Sequence, residues 1–479
     1  MLISLMAKVN MSFMRKTKII ATYGPSLASR RVISRLVEAG VNVFRINCSH
    51  GDQNDFLGAA QLIRQGIRKS PFPVGLLFDI SGPKLRLERF DGEQVVKIGD
   101  ELTLTIGRSD FAKRIIAVNH PGIIKSVRKG QRLYIDDGNL AFEIIATAKD
   151  RIRIRAINCG RLLGGKGINL PDTDIQIETI TRKDRADIGT AVKAEVDYIA
   201  LSFVRSGDDI IEARRLIHRL GGRQKIIAKL EKREAIAQLD DIMLLADGVM
   251  VARGDLGVEM PPETVPELQK QIIRLANRHR KPVIVATQMM ESMRSSPRPT
   301  RAEINDVASA VFDYVDAVML SAETATGEYP LETVQTMARV ITAAERDGGP
   351  PPVLEEAFLV RSEIPSAVAK AVSGCKCAII FAFTTSGFTA ELISNQFPSQ
   401  IIVALTPDRS VLTRLTVFRG VYPVLIKQLH SLDGMLAEVE RVGRKYGLVN
   451  KGDTVIITGG APFGRMVPTN FMMYHKIGE

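Results

Sequence analysis

The sequence of 479 residues contains no tryptophan, and only 5% of its residues are aromatic. A surface that stacks the bases of single-stranded nucleic acid depends on aromatic side chains, so this composition argues against such a surface. The sequence also lacks any apolar run near the ~18 residues that a membrane-spanning helix requires. We therefore expect neither nucleic acid nor a membrane among the partners.

Cysteine is scarce as well, with Cys48, Cys159, Cys375 and Cys377 as the only four. They are too few and too scattered for a disulfide framework, and they fit a reducing compartment. Metal binding by Cys375 and Cys377 is a minor alternative, because no second pair accompanies them.

Residues 1–14 do not have the pattern of a secretory signal. The segment is mildly apolar, but its basic residues Arg15 and Lys16 follow the apolar stretch, whereas a secretory signal has the opposite order. The sequence predicts a cytoplasmic protein with a short leader over 1–14.

The chain lacks a block of charge of one sign, although its net charge is +12, from 65 Lys and Arg against 53 Asp and Glu. Two interpretations compete: a basic surface for nucleic acid, or a site for phosphorylated metabolites on a mixed surface. The basic residues are interleaved with acids, which favours the second interpretation.

Short β-branched runs alternate with amphipathic helical segments from residue 16 to about 345. The runs are almost continuously apolar, as strands of a parallel sheet covered on both faces must be. Eight βα units in succession predict a closed (β/α)8 barrel. The predicted strands span 18–22, 43–47, 74–79, 198–203, 225–230, 248–252, 282–287 and 317–321.

Two interruptions divide this pattern into domains. Between 87 and 170 the strands become short and alternate with period two, as at 95–100, 101–106 and 151–157, with turns at Asp91-Gly92 and Asp137-Gly138. An insert at the end of the third barrel strand lies over the active face of a barrel, as a lid does. A Gly/Pro-rich linker at 346–355 precedes another α/β pattern, with strands at 378–382, 401–405 and 455–458.

The predicted fold is therefore α/β in class and has three domains. It combines a TIM barrel over 15–86 and 171–345, an inserted small β-barrel lid over 87–170, and a C-terminal open-sheet α/β domain over 356–479.

Charged residues gather where the predicted barrel strands end, which is where (β/α)8 barrels place their active sites. Glu231 and Asp255 come from neighbouring strands and suit Mg²⁺ when substrate oxygens complete its coordination. Lys229 can reach a phosphoryl group on that metal, and Arg45 offers a second cation. Phosphoryl transfer needs mainly such positioning and charge neutralisation. The alternative is a structural network of ion pairs.

A run of hydroxyl residues lies between a strand and a helix of the predicted C-terminal domain. Hydroxyls and free backbone N–H groups at a helix N-terminus can bind phosphate. A plain helix cap is an equal alternative on the residues alone. The run contains Thr384, Thr385, Ser386, Gly387 and Thr389.

Eight segments, in unbroken order from residue 15 to 325, resemble pyruvate kinases. The segments are RKTKIIATYGPS (15–26), FRINCSHG (44–51), DISGPKLR (79–86), KGINLP (166–171), IALSFVR (199–205), MVARGDLG (250–257), PTRAE (299–303) and VMLSAETA (318–325). The resemblance implies a glycolytic phosphotransferase that moves the phosphoryl group of phosphoenolpyruvate to ADP, giving pyruvate and ATP. It also implies a homotetramer.

The same resemblance assigns roles to individual residues. Glu231 and Asp255 would bind one Mg²⁺, and a second Mg²⁺ would arrive with the nucleotide. Lys229 would stabilise the phosphoryl group in transit, while Thr287 and Ser321 would help deliver a proton to the enolate. Phosphoenolpyruvate would be held by Arg45, Lys229, Gly254, Asp255 and Thr287, and the nucleotide would face His50, Arg86 and Lys166.

Many enzymes of this family require K⁺, for which the matching positions are Asn47, Ser49, Asp79 and the carbonyl of Ile80. Such enzymes usually carry Glu where this chain has Lys84. Two like charges within ~4 Å cost about 4 kcal/mol at an effective dielectric of 20, so an ammonium there would exclude K⁺. We expect Lys84 to substitute for K⁺. The alternative is that Lys84 turns outward and pairs with an acid of the lid.

In the C-terminal domain, the hydroxyl run from Thr384 to Thr389 resembles the family's pocket for an activating phosphorylated metabolite. The resemblance therefore favours an allosteric effector site over a plain cap.

Two other functions remain open. One is a barrel enzyme that acts on phosphoenolpyruvate or a 2-oxo acid as a Mg²⁺-dependent C–C lyase, which would not need an inserted lid. The other is a non-catalytic basic scaffold, whose binding to nucleic acid would depend steeply on salt.

Overall fold

The computed structural model describes residues 14–173, 175, 177–349, 351, 363–374, 377–462 and 467–479. The predicted leader up to residue 13 and most of the predicted linker lie outside these residues. Among the described cysteines, Cys48 and Cys159 are free thiols, whereas Cys377 is disulfide-bonded, so the expectation of reduced cysteines is wrong there. Within the described ranges, every helix is too short or too polar to span a bilayer.

Eight parallel strands close into a barrel, which confirms the predicted fold class. Four of the predicted strands have the predicted bounds, and the others differ by one or two residues at one or both ends. The barrel strands, numbered one to eight below, are Lys18–Thr22, Val43–Asn47, Gly75–Ile80, Tyr198–Leu201, Lys225–Leu230, Gly248–Ala252, Val283–Ala286 and Ala317–Leu320.

The strands are apolar throughout because both of their faces are buried. Ile20, Ile227 and Met250 belong to the cluster inside the barrel, while Phe44 and Phe78 pack between strands and helices. Burying a side chain of this size contributes about 1.5–3 kcal/mol relative to its exposure.

The helices around the barrel begin where the sequence supplies caps. Thr181 and Asp184 form a reciprocal capping box at one helix, and Thr300 and Glu303 form another. The helices of this domain are Arg30–Ala39, Gln53–Ile67, Arg182–Lys193, Gly207–Arg219, Arg233–Ala237, Leu239–Leu245, Arg253–Glu259, Val265–Arg278, Arg301–Phe312, Ala322–Ala325 and Pro330–Asp347.

The insert after strand three is β structure with its own apolar core. Its strands form a six-stranded and a two-stranded sheet, whereas a single small barrel was expected. The strands are Glu93–Val96, Glu101–Thr105, Ile115–Ala117, Arg132–Ile135, Leu140–Thr147, Arg151–Ala156, Gly160–Leu163 and Ile168–Asn169, with one helix at Gly122–Ser126.

The strand predicted over 95–100 is wrong from Lys97 onward, because the observed strand is Glu93–Val96. The chain turns there because the Asp100 carboxylate accepts a hydrogen bond from the backbone N–H of Lys97 (2.8 Å) and Gly99 adopts a φ of +84°. Glycine takes this left-handed conformation without the steric cost that other residues meet.

The C-terminal domain is a five-stranded sheet, parallel except for its last strand. Its strands are Ile380–Phe383, Ile402–Thr406, Val421–Leu425, Thr454–Gly459 and Phe471–Lys476, and its helices are Glu363–Gly374, Phe388–Ser394, Arg409–Arg414 and Leu432–Lys445. The domain packs against the amino ends of the barrel strands, where Lys18 donates to the carbonyl of Val421 (2.6 Å). The carboxyl ends of the strands face the opposite way and form a rim.

Candidate active site

Arg45, in the middle of strand two, is held by two neighbours. Its Nε pairs with Oδ2 of Asp79 at 2.6 Å, and its Nη1 donates to Oγ1 of Thr22 at 3.0 Å. Asp79 is the penultimate residue of strand three and lies beside Asn47 in the register of the two strands. Arg45 is 9% exposed, so its guanidinium is fixed while an edge remains accessible.

Lys229, from strand five, lies at the centre of the rim. Its Nζ is 3.1 Å from Oδ1 of Asp79 and 2.9 Å from Oε1 of Glu231. It also donates to the hydroxyl of Ser202 at 2.7 Å. Two carboxylates and a hydroxyl therefore fix an ammonium that is almost fully buried.

These contacts keep the buried charges ionised. Burial alone would lower the pKa of Lys229, but the carboxylates of Asp79 and Glu231 outweigh it and raise the pKa above its ordinary value. Burial would raise the pKa of Asp79, but Arg45 and Lys229 outweigh it and hold the pKa below its usual range. The rim is a preorganised array of charge.

Glu231 and Asp255 are the two carboxylates that the sequence predicts as ligands of a divalent cation. One oxygen of Glu231 accepts from the backbone N–H of Phe203 (2.7 Å), and the other faces Lys229. Burial raises the pKa of Glu231, with Lys229 opposing and the nearby Asp255 adding to the rise. This mutual repulsion of two carboxylates is what a bound cation would relieve, so the residues fit Mg²⁺.

Within the described ranges no cluster of three or more acidic, His or Cys side chains could hold a metal alone. Mg²⁺ bound by two carboxylates would take its remaining ligands from water and substrate, which is its usual behaviour in phosphoryl-transfer sites.

Thr287 follows strand seven in a strained backbone conformation. Its φ is +66°, which is a rare value for a β-branched residue and is characteristic of functional sites. Its hydroxyl accepts from the backbone N–H of Gly254 (2.9 Å) and donates to the carbonyl of Ala286 (2.6 Å). Arg253, the first residue of the helix after strand six, supports this turn by donating to the carbonyl of Thr287 (2.7 Å).

Ser321 follows strand eight. Its backbone N–H donates to Glu323 (2.6 Å), and its hydroxyl is buried without a hydrogen-bond partner in the described part of the chain. A buried unpartnered hydroxyl is uncommon in proteins and is a candidate for contact with substrate.

The predicted nucleotide-binding residues are only partly brought together. Burial lowers the pKa of His50, and the nearby Arg86 and Lys84 lower it further, so His50 lies in a positive field. The backbone of Lys166 is bonded to that of Leu87 (2.9 Å), next to Arg86. Its ammonium, however, pairs with Asp136 of the insert at 2.7 Å.

At the positions that match a K⁺ site, the side chains of Asn47 and Asp79 already have partners. The amide oxygen of Asn47 accepts from the backbone N–H of Ser49 (3.1 Å), and Ile80 lies in strand three directly after Asp79. Asp79 is bonded to two cations, as described above. Lys84 lines a pocket between insert and barrel that also includes Asp255.

In the C-terminal domain, the hydroxyl run lines a pocket with residues that the sequence did not single out. Thr384 caps the turn by accepting from the N–H of Gly387 (2.9 Å), and Thr389 is bonded to Thr469 (2.7 Å). The pocket is also lined by Thr385, Ser386, Lys427, Gln428 and Gly460.

Sequence reasoning missed Thr22, Ser202 and Arg253 as supports of the site. Each lies at or just after the end of a barrel strand, and each belongs to one of the segments on which the family resemblance rests. Their position was a usable signal, although polar residues commonly end strands.

Comparison with known proteins identifies the family. Residues 14–334 match "Pyruvate kinase, barrel domain", and residues 362–475 match "Pyruvate kinase, alpha/beta domain". A pyruvate kinase of Corynebacterium efficiens is 38% identical, with 97% of this chain and 98% of the relative covered. One of Sporosarcina psychrophila is also 38% identical, with 97% of this chain and 81% of the relative covered.

A solved structure shows the same architecture. A pyruvate kinase from Cryptosporidium parvum superposes with a TM-score of 0.88 at 34% identity, and 97% of each chain is covered. The chain therefore belongs to the pyruvate kinase family of phosphotransferases.

Proposed function

We propose that this chain transfers the phosphoryl group of phosphoenolpyruvate to ADP, giving pyruvate and ATP in glycolysis, and that the rim performs the chemistry. The observation that carries the proposal is the buried ammonium of Lys229, held by Asp79 and Glu231 beside the guanidinium of Arg45. A phosphoryl group in transit gains most from such fixed positive charge.

Each predicted site residue has a part in this reaction. Arg45, Gly254 and Thr287 orient phosphoenolpyruvate. The hydrogen bond from the backbone N–H of Gly254 to the hydroxyl of Thr287 supports this arrangement. The ammonium of Lys229 stays beside the phosphorus atom while the bond from phosphorus to the enol oxygen breaks and the bond from phosphorus to an ADP oxygen forms. His50, Arg86 and Lys166 attract the nucleotide phosphates.

A proton must then reach C3 of the enolate to give pyruvate. Ser321 supports this step because its hydroxyl is buried and has no partner in the described residues, so it can bond to a substrate or a water molecule. Thr287 is the second candidate, since its hydroxyl already donates and accepts in the turn beside Gly254.

Glu231 and Asp255 would hold one Mg²⁺, and a second would accompany the nucleotide. When bound, such a cation would supply positive charge that neutralises the phosphoryl oxygens. Oε1 of Glu231 also contacts Nζ of Lys229 (2.9 Å), so a cation held by this carboxylate would share it with the ammonium.

We propose that the insert over 87–170 acts as a lid on the barrel of residues 15–86 and 171–345. Asn169 of the insert donates to Glu259 (3.0 Å), and Lys232 of the barrel pairs with the same carboxylate (2.7 Å). Glu259 ends the helix that carries Gly254 and Asp255. The insert is therefore bonded to the same helix that carries the proposed metal ligand Asp255.

We propose that Lys84 takes the place of K⁺, which the enzyme then does not require. Lys84 is half-buried beside the rim, and its charge contributes to the field at His50. In the described part of the chain its ammonium has no carboxylate partner, which weighs against the alternative of a pair with the lid.

Further features follow from the family and are proposed here for this chain. The pocket around Thr384 and Ser386 would bind a phosphorylated effector, with Lys427 as a cation in its lining. The assembly would be a homotetramer and the location cytoplasmic. The C-terminal domain would extend over 356–479, after a linker at 346–355.

The test of the reaction is a mixture of the protein, phosphoenolpyruvate, ADP and Mg²⁺, in which ATP formation is followed. ATP formed in proportion to the protein supports the proposal. Loss of phosphoenolpyruvate without ATP would indicate a lyase or a phosphatase and would overturn it.

A further inference from the structure

The turn after barrel strand four contacts both members of the Lys229–Glu231 pair. Ser202, the first residue of the turn, accepts a hydrogen bond from Nζ of Lys229 (2.7 Å) and donates one to Oδ1 of Asp79 (3.3 Å). Phe203, the second, donates its backbone N–H to Oε2 of Glu231 (2.7 Å). The turn therefore connects strands three, four and five at the centre of the rim.

This turn is held in an unusual conformation. Phe203 has a φ of +56°, which is rare for a bulky residue and carries a conformational cost. Ser202 is only 5% exposed, so its hydroxyl is directed into the protein. A strained turn that directs a hydroxyl and an N–H to neighbouring charges is characteristic of preorganised sites.

The hydrogen bond between Lys229 and Ser202 would matter more when a divalent cation and substrate are bound. Lys229 has three partners here, namely Asp79, Glu231 and Ser202. Glu231 is also a proposed metal ligand, and a cation bound to its carboxylate would weaken the attraction of that carboxylate for the ammonium. Asp79 and Ser202 are the partners of Nζ that are not proposed as metal ligands.

We infer that Ser202 is a positioning residue for Lys229: its hydroxyl fixes the ammonium on the path of the phosphoryl group when Glu231 is engaged elsewhere. The inference rests on the proposed function. It adds an uncharged residue to the proposed active site. It assigns Ser202 to the phosphoryl-transfer step rather than to the binding of phosphoenolpyruvate.

Thr22 offers a matched control on the other cation of the rim. Its hydroxyl accepts from Arg45 (3.0 Å) and donates to the carbonyl of Leu320 (2.8 Å), so it supports a substrate-binding guanidinium in the same manner. Both hydroxyls are buried, and both are removed by substitution with Ala. The two variants are expected to differ in which kinetic constant changes.

The experiment compares Ser202→Ala, Ser202→Thr and Thr22→Ala with the unmodified enzyme. Rapid-quench single-turnover rates, steady-state kcat, KM for phosphoenolpyruvate and melting temperature are measured for each. For Ser202→Ala we expect kcat and the single-turnover rate to fall about ten- to a hundredfold, because a hydrogen bond to a charged group is lost. KM should change less than about threefold, since binding is retained.

Ser202→Thr keeps the hydroxyl and should recover kcat to at least roughly a third of the unmodified value. Thr22→Ala should raise KM for phosphoenolpyruvate and leave kcat within about threefold of the unmodified value, because Arg45 acts in binding.

Three results would overturn the inference. One is a Ser202→Ala enzyme with unchanged kcat. The second is a Ser202→Ala enzyme whose main change is a raised KM. The third is a Ser202→Thr enzyme as slow as Ser202→Ala at an unchanged melting temperature. An unmodified protein that makes no ATP would instead refute the proposed function itself.

Discussion

The barrel buries a lysine at each of its two ends, and the two lysines have opposite electrostatic environments. Lys229 lies at the carboxyl ends of the strands between Asp79 and Glu231. Lys18 lies at the amino ends, against the C-terminal domain. Its ammonium donates to the carbonyl of Val421 (2.6 Å) and lies 3.8 Å from the centre of the Tyr422 ring.

The pKa values follow these surroundings. Burial, and after it the nearby Arg15, lower the pKa of Lys18 from 10.5 to about 7, with Glu345 opposing. At Lys229 the same burial is outweighed by carboxylates. Burial therefore does not decide whether a lysine keeps its charge. The catalytic end holds paired acids to preserve the cation, whereas the docking end offers a carbonyl and an aromatic ring.

The largest effect should follow from removing the catalytic cation. Lys229→Met should lower kcat at least about a hundredfold while phosphoenolpyruvate still binds, because fixed charge at the transition state typically contributes ~3–4 kcal/mol. The measurements are kcat and the dissociation constant for phosphoenolpyruvate with Mg²⁺. The control is Lys18→Met, which removes the other buried lysine and should retain turnover.

If Lys229→Met kept more than about a tenth of the kcat, a loss of only ~1.4 kcal/mol, the difference in role between the two lysines would be refuted.

A second test replaces Lys84, which lies beside the same end of the barrel as Lys229. The unmodified enzyme should show near-full activity in a K⁺-free tetramethylammonium salt, and Lys84→Glu should introduce a requirement for K⁺, because the carboxylate removes the like charge that excludes the ion. Turnover is compared with that in KCl at equal ionic strength. Lys97→Glu, on an exposed turn of the insert, is the control with the same change of charge. Strong activation of the unmodified protein by KCl would end this assignment of Lys84.

A third test concerns the docking end and its dependence on pH. Between pH 7 and about 10.5 the unfolded chain keeps the proton of Lys18 while the folded chain has lost it, so stability rises with pH in this window. Below pH 7 both states are protonated, and the full cost of the buried charge applies. From pH 7 to 9 the unmodified protein should gain up to ~2.7 kcal/mol relative to Lys18→Met.

The denaturation midpoints of the two proteins at pH 7 and pH 9 measure this gain. An equal difference between the proteins at both values of pH would show that Lys18 does not titrate as described.

The smallest effect on basal turnover is expected in the C-terminal domain. Changing Ser386 and Thr389 together to Glu should abolish activation by phosphorylated compounds, because added negative charge repels a phosphate, and should leave basal activity unchanged. A panel of sugar phosphates and AMP provides the probes, with the exposed Ser399→Glu as control. Activation that persists in the double variant would place the effector elsewhere.

The sequence predicted the catalytic end better than the docking end for a physical reason. Strand position and charge are local properties, so the topology alone brings Arg45, Lys229 and Asp255 to one rim. Ser202 could not be assigned in this way, because a neutral hydroxyl at a strand end gives no sign of its partner. Lys18 meets Val421 across 403 residues of sequence, and no local pattern encodes that contact.

Side-chain pairing also limits prediction within the insert. The alternation of apolar residues predicted strands at 101–106 and 151–157, which the structure shortens by one residue each. It failed at Lys97 and Asp100, where a side chain bonded to the backbone ends the strand. The same competition between side chains and backbone commonly limits predictions made from periodicity.

The most direct test of the proposed role of Lys229 in phosphoryl transfer follows the phosphorus atom itself. Phosphorus NMR of a mixture of phosphoenolpyruvate, ADP and Mg²⁺ is recorded with the unmodified protein, Lys18→Met and Lys229→Met. We expect the γ-phosphate signal of ATP to grow as phosphoenolpyruvate disappears in the first two samples and to stay near baseline in the third. Growth of ATP at an undiminished rate with Lys229→Met, or of inorganic phosphate in place of ATP with the unmodified protein, would contradict this expectation.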